Sequence, residues 1–216
     1  MQFGVLGTGM VGQTIASKLI DLGHHVMLGA RHTGNEKARA WADAAGASAR
    51  EGSFADAARF GEIVVNATNG AAALDALAAA GAENLAGKVL IDVANPLDTS
   101  QGMPPSLTVC NTDSLGEQIQ RTFPDARVVK TLNTMNAEVM VNPGLVPGSH
   151  TVFISGNDAE AKACVAELLG SVGWPQESIL DLGDITTARG TEMYLPLWLR
   201  LWATLGMGHF NIRVVR

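Results

Sequence analysis

The sequence predicts a doubly wound parallel α/β sheet with a small C-terminal α/β extension that ends in a long apolar helix. Three observations predict it. Short apolar runs alternate with amphipathic segments over the first 130 residues. The first run, Gln2–Leu6, feeds directly into Gly7-Thr8-Gly9-Met10-Val11-Gly12. The segment leaving those glycines, Met10–Leu22, carries Val11, Ile15, Leu19 and Leu22 on one helical stripe. Strands spaced by helices of this length need right-handed crossovers, which lay helices on both faces of a parallel sheet.

In chain order, the apolar runs expected as strands are Gln2–Leu6, His25–Leu28, Ala47–Ala49, Ile63–Asn66, Val89–Asp92 and Val128–Lys130. Helical patterns fall between them: Met10–Leu22 with Gly23 as its stop, Ala-rich Glu36–Ala45 ending at Gly46, Ala71–Ala80, and Thr112–Thr122 before Pro124. After Lys130 the texture changes. Asn133–His150 reads as a loop over the sheet edge, Thr151–Ser155 as a strand, Asp158–Gly170 as a helix and Ser178–Asp181 as a short strand. A long helix from Thr187 to Leu205 follows, bent at Pro196. No repeat or flexible linker divides the chain. Residues 1–132 are therefore expected to form one nucleotide-binding domain, and residues 133–216 an acceptor and dimerisation part packed against it.

Apolar residues are 47% of the chain and charged residues 17%, which supplies a large core and excludes disorder. A formal net charge of −6 gives no general drive toward nucleic acid or anionic lipid. Cys110 and Cys164 lack metal-ligand spacing and are too few for a disulfide framework, so both are read as reduced, buried thiols in a cytoplasmic protein. His24, His25, His32, His150 and His209 are dispersed, and no metal site is expected. No basic leader precedes the first strand, and the apolar stretch from Tyr194 is interrupted by Pro196 and Arg200, so neither a signal peptide nor a membrane span is expected.

The Gly7–Gly12 run is a full G-x-G-x-x-G between a strand and an amphipathic helix, the context that gives this motif its meaning. Gly7 permits the tight turn. Gly9 leaves room for a pyrophosphate at the backbone. Gly12 lets helix and strand approach closely. The exposed N–H groups at the helix start then face the pyrophosphate, helped by the positive dipole end, and Gly7, Thr8, Gly9, Met10, Val11 and Gly12 are the cofactor residues expected there. The next strand selects the dinucleotide. It ends Leu28-Gly29-Ala30-Arg31-His32-Thr33 and offers no carboxylate for a ribose 2′-hydroxyl. A guanidinium binds a 2′-phosphate bidentately, so Arg31, with His32, Thr33 and Lys37 as further donors, predicts NADP(H). Ala67, Thr68 and Asn69 end the fourth strand and Asn95-Pro96 the fifth, where doubly wound sheets hold ligands. These residues, with Asn133 and Thr134 after the sixth strand, complete the expected cofactor set.

The stretch from Gly7 to Arg31 (GTGMVGQTIASKLIDLGHHVMLGAR) resembles the N-terminus of the NADPH-dependent reductases of the deazaflavin coenzyme F420. The ferric reductase domains of the six-transmembrane epithelial antigen proteins are similar. Lys88–Pro96 (KVLIDVANP) and Ala126–Met135 (ARVVKTLNTM) resemble the family's fifth and sixth strands, and Leu180–Arg189 and Leu205–Val214 its C-terminal segment. The resemblance covers nearly the whole chain. It implies an NADP-dependent oxidoreductase with a Rossmann fold, and coenzyme F420 or a flavin as the implied co-substrate. Thr68–Gly70 lacks the proline of the deazaflavin reductases, Asn133–Met135 lacks their histidine, and Asn95-Pro96 stands where archaeal members tend toward Ser-Pro; these departures resemble bacterial paralogues of unassigned substrate.

Other chemistry finds little support. Tyr194 is the single tyrosine, so no Tyr-x-x-x-Lys pair exists, and no Gly-x-Ser-x-Gly occurs. Hydride transfer between two planar rings needs juxtaposition more than a dedicated acid or base, and no catalytic side chain is assigned. Two readings stand: an enzyme passing hydride from NADPH to a small-molecule ring or ferric-chelate acceptor, and a non-catalytic NADP(H)-binding redox sensor. Met135, Met207, Gly208 and His209 are the candidate acceptor pocket. Tyr194, Trp198 and Trp202 recur at four-residue spacing on a helix apolar around much of its girth, which predicts burial in the core or in a homodimer interface.

Overall fold

The computed structural model describes residues 1–215. Its nucleotide half runs β1 (Gln2–Leu6), α1 (Met10–Asp21), β2 (His25–Ala30), α2 (Glu36–Ala45), β3 (Ala49–Ser53), α3 (Phe54–Phe60) and β4 (Ile63–Asn66). Next come α4 (Ala73–Ala80), α5 (Ala82–Leu85), β5 (Val89–Asp92), a small hairpin of β6 (Leu97–Asp98) and β7 (Ser106–Leu107), α6 (Leu115–Thr122) and β8 (Arg127–Thr131). The chain closes with α7 (Ala137–Val141), β9 (Val152–Ser155), α8 (Ala159–Val172), β10 (Ile179–Asp181), α9 (Ala188–Met193) and α10 (Leu195–Leu205).

Eight strands make one sheet in the order β10-β9-β8-β5-β4-β1-β2-β3. From β3 to β8 every pairing is parallel. β9 turns antiparallel to β8, and β10 is parallel to β9. This is the predicted Rossmann-type sheet, with the C-terminal strands continuing it. β1 lies between β2 and β4, so the crossovers leave it in opposite directions and open a crevice at its C-terminal end.

The central strands are buried on both faces, as their unbroken apolar runs require. One core lies where α1, α2, α7 and α8 cover the sheet and includes Phe3, Leu19, Trp41 and Trp174. The other lies under α3, α4, α6 and α9 and includes Leu6, Leu77, Leu90 and Ile119. Small residues set the second spacing: a Cβ on Gly4 would sit 2.1 Å from the Ala57 carbonyl oxygen, so α3 lies hard against β1.

Several expectations are corrected. β3 begins at Ala49, not Ala47, because Gly46 closes α2 at φ 87° and accepts the Ala49 N–H in a turn. It is an edge strand carrying Arg50 and Glu51, which hid its apolar pattern. The short helix α3 was not anticipated, although Ser53 and Asp56 form a reciprocal capping box at its start. α6 begins at Leu115 rather than Thr112, with the Ser114 hydroxyl accepting the Glu117 N–H. The expected loop 133–150 contains α7, capped by Asn136. The last helix is two helices meeting at Tyr194, since Pro196 brings no N–H to continue α9. Cys110 is exposed, in the irregular segment before α6, and Cys164 is half-buried, so the buried-thiol expectation fails. Among the described residues no helix is long and apolar enough to cross a membrane.

Candidate nucleotide-binding site

The three loop glycines are set apart by the space around them. Gly7 has φ 117°, and a Cβ there would lie 2.5 Å from the Ala67 carbonyl oxygen. A Cβ on Gly12 would lie 2.0 Å from the Gly7 carbonyl oxygen, so the helix start rests on the loop itself. A Cβ on Gly9 would meet nothing within 4 Å. Gly9 is the N-cap of α1, and among the described residues no side chain caps the first turn, which leaves its N–H groups for an anion. Gln13 braces the loop by donating from Nε2 to the Thr8 carbonyl at 2.9 Å.

A cleft of about 960 Å³ opens at this helix terminus. Of the predicted cofactor residues, Gly7, Thr8, Gly9, Arg31, His32, Thr33, Ala67, Thr68 and Asn69 line it. Met10 projects into solvent beside it, Val11 is half-buried, and Lys37 is exposed on the first turn of α2. The sequence did not single out the opposite wall, Phe54 with Ala72, Asp75, Ala76 and Ala79; alanines at helical spacing read there as ordinary helix formers. The turn after β2 is tied down from β3: the Gly34 N–H donates to both Glu51 carboxylate oxygens, at 3.2 and 3.0 Å. Asn35 caps α2 by accepting the Ala38 N–H. Glu51 thus spends its acceptors on backbone, while Arg31 is exposed at the cleft.

The predicted residues beyond Asn69 lie past the end of this cleft. Asn95 and Asn133 hold each other, with Asn95 Nδ2 donating to the Asn133 carbonyl at 2.8 Å and Asn133 Nδ2 donating to Asn95 Oδ1 at 2.9 Å. The Asn95 carbonyl packs so closely that a Cβ on Gly70 would come within 2.0 Å of it. The Pro96 carbonyl accepts the Thr108 N–H. Thr134 is buried, and Met135 is buried in the α1–α8 core rather than facing an open site.

Behind these strand ends lies a charge cluster the sequence reading missed. Asn66 and Asp92 are 0% exposed, and Lys130 and Glu192 are 1% exposed. Lys130 Nζ pairs with Asp92 Oδ2 and Glu192 Oε1, each at 2.8 Å, and donates to the Ala94 carbonyl at 2.5 Å, which uses all three of its donors. Burial works against the ammonium charge, but Asp92 and Glu192 outweigh it and hold the Lys130 pKa above the usual lysine range. Asp92 Oδ1 accepts from Asn66 Nδ2 at 2.8 Å and from the Ala94 N–H at 3.2 Å. Asn66 Oδ1 accepts the Thr68 hydroxyl at 2.6 Å. Glu192 accepts the Leu115 and Gly116 N–H groups at the start of α6, at 2.8 and 3.0 Å. A signal existed: Asp92 and Lys130 sit inside otherwise apolar strand runs, and a charge buried there must find a partner.

The other acceptor candidates lie on the C-terminal segment. Gly206 is the left-handed end of α10, φ 67°, its N–H bonded to the Trp202 carbonyl, a helix stop. A Cβ on Gly208 would sit 2.7 Å from Asn136 Nδ2, so the backbone there lies against that side chain. His209 pairs with Glu138, and Met207 is exposed. Trp198 stacks on Phe210, with ring centroids 5.3 Å apart. The tail then runs beside β9: the Thr151 N–H donates to the Ile212 carbonyl, and Asn211 Nδ2 donates to the Thr151 carbonyl. Burial of the helix is corrected within one chain. Leu197 is 55% exposed, Trp202 44% and Leu205 53%, and Leu195 is the buried residue of α10.

Residues 2–96 match the family model described as NADP oxidoreductase coenzyme F420-dependent. A crystal structure from Arthrobacter sp. FB24, provisionally described as an F420-dependent NADP reductase, is 57% identical, with each chain covered in full and a TM-score of 0.95. Metalloreductase STEAP3 of Rattus norvegicus is 28% identical over 213 residues, covering 96% of this chain and 39% of the relative. The chain thus spans about two fifths of the length of that relative. An imine reductase from Streptomyces aurantiacus is similar in fold, with a TM-score of 0.67 at 20% identity over 95% of this chain and 64% of the other.

Proposed function

This chain belongs to the coenzyme F420-dependent NADP oxidoreductase family, and we propose that it transfers hydride between NADPH in the glycine-loop cleft and a planar acceptor beside the ends of β5 and β8. Acceptors of the fitting class are a deazaflavin, a flavin or a ferric chelate. The deazaflavin arm rests on the Arthrobacter relative and the chelate arm on the metalloreductases.

The division among the loop glycines carries the reading. Gly7 and Gly12 are glycine because protein atoms fill the space of their Cβ, whereas Gly9 faces an open cleft at an uncapped helix start. A pyrophosphate explains why that open position is also glycine. Thr8, Gly9, Met10 and Val11 would hold it through backbone N–H groups. Arg31, His32, Thr33 and Lys37 would take the 2′-phosphate, and Ala72, Ala76 and Ala79 would pack on the adenine. Thr68, Asn69, Asn95, Pro96, Asn133 and Thr134 would surround the nicotinamide end. When bound, the cofactor supplies the hydride. The chain's own part is orientation and exclusion of water, and no side chain of the site needs to move a proton.

Residues 133–216 would carry the acceptor and the subunit contact. The exposed Leu197, Trp202 and Leu205 form an apolar face on α10, for which a second copy of the chain is the proposed cover. Sedimentation at micromolar concentration should give a dimer; a monomer would refute that cover.

The deciding experiment is NADPH oxidation followed against deazaflavin, flavin, quinone and ferric chelates, with NADPH and NADH affinities measured in parallel. Turnover with a ring or chelate acceptor and a strong preference for NADPH are expected. NADPH binding without turnover on any acceptor would favour a redox sensor, and equal affinity for NADH and NADPH would remove the role given to Arg31.

A further inference from the structure

The buried cluster joins β5, β8 and α9. Lys130 with Asp92 and Glu192 leaves one net negative charge in the interior, and such clusters are commonly no more stable than apolar residues of the same volume. Its connections run in two directions. On one side Asp92 Oδ1 takes the Ala94 N–H while Lys130 takes the Ala94 carbonyl, so both polar groups of that residue are fixed by the cluster. The next residue is Asn95, itself locked to Asn133. Asp92 also holds Asn66, and Asn66 holds the Thr68 hydroxyl at the cleft wall. On the other side, Glu192 joins Lys130 to α9 and to the start of α6. From α9 the chain passes through α10 to Gly208 and His209, which lie against Asn136 and Glu138 just beyond Asn133.

We propose that Lys130, Asp92 and Glu192 are positioning residues for the nicotinamide half of the site: Lys130 fixes the Ala94–Asn95 segment and Thr68 through Asp92, and aligns the C-terminal segment with them through Glu192. The inference rests on the NADP(H) reading above. It is specific about which half of the dinucleotide is affected. On that reading the adenine half would be held by Arg31, His32 and the loop tied to Glu51, none of which bonds to the cluster. A group that merely stabilised the sheet would weaken both halves together or neither.

The test separates the halves with two probes, 2′,5′-ADP for the adenine half and NADPH for the whole, on the intact chain. Asp92→Asn keeps an oxygen for Asn66 and Ala94 but turns an amide toward the Lys130 ammonium. Glu192→Gln keeps an acceptor for α6 while removing the charge facing Lys130. Lys130→Met is the severe variant, and Asp92→Asn and Glu192→Gln decide the matter if it does not fold. For Asp92→Asn we expect 2′,5′-ADP affinity within about twofold of native and NADPH affinity lowered about tenfold, an increment lost from the nicotinamide half alone. Bound nicotinamide fluorescence should shift in the same variant. Glu192→Gln should give the same pattern, smaller, and more hydrogen exchange at α9. Equal loss of both probes, or native NADPH binding and emission in both variants, would overturn the proposal. A native protein that binds neither probe would overturn the NADP(H) reading and this inference with it, a result distinct from selective loss in the variants.

Discussion

The two ends of the candidate site are built from different materials. At the end proposed for adenine and pyrophosphate, Gly7 to Gly12 and Arg31 to Asn35 offer backbone N–H groups, open space and exposed cations, from one β-α-β unit and the turn after it. At the other end, Asn66, Asp92, Lys130 and Glu192 come from four separated elements, and each contact is between side chains or from a side chain to backbone. A site made of backbone tolerates variation wherever a side chain points outward. A site made of buried charges tolerates little, because each group removed leaves another unpaired in a low-dielectric interior.

That contrast can be broken most severely at Gly9. Gly9→Val places a branched side chain in the cleft where no protein atom lies within 4 Å of the Cβ. NADPH binding should fall by more than about a hundredfold, while the unfolding midpoint stays near native. Fluorescence titration beside thermal unfolding checks both, and retained binding would show that the cleft is not the pyrophosphate site. Gly12→Ala reverses the outcome. Its methyl would meet the Gly7 carbonyl oxygen at 2.0 Å, so the fold should lose about 2–4 kcal/mol in urea denaturation before any ligand is added.

Arg31→Ala comes next in size. Loss of a charge-assisted pair to the 2′-phosphate should cost about 2–3 kcal/mol of NADPH affinity and leave NADH nearly unchanged. An equal loss for both dinucleotides would move Arg31 from the phosphate to the adenine or the loop.

The smallest effect expected belongs to the ion pair between Arg121, on the helix that Glu192 caps, and Asp113 just before that helix. The Arg121 guanidinium, bonded to Asp113 at 2.9 Å, holds that carboxyl down at about 2 from its ordinary 3.8. A depressed carboxyl stabilises the fold above its unfolded value and loses that contribution as pH falls from about 4 through about 2. Arg121 is 59% exposed, so solvent screens the pair. Arg121→Ala should be barely distinguishable from native at pH 7 in urea titrations, and the remaining difference should vanish as pH falls below about 2. A large loss at neutral pH would place this pair with the buried cluster rather than with the surface.

Most of the strands were legible, because a parallel strand buried on both faces has to be an unbroken apolar run. β1, β4 and β5 fall on the predicted bounds. Among the elements that escaped, with α5 and the β6–β7 hairpin, α3 and α7 are single turns or little more, with too few residues for a period to show. Ser53 and Asn136 marked their starts through capping. The helix at the C-terminus was legible as apolar but not as split or exposed, since exposure depends on what packs against it.

The sequence by itself determined the nucleotide half: strand, glycines, helix and the cation after β2 are neighbours along the chain, and their chemistry follows from local spacing. The tertiary structure alone decided the rest. Glu192 meets Lys130 only because α9 folds back over α6, and Gly208 meets Asn136 only because the tail returns along β9. Side chains so far apart in sequence carry no shared period or motif, and their pairing is fixed by the sheet order that brings β5 beside β8.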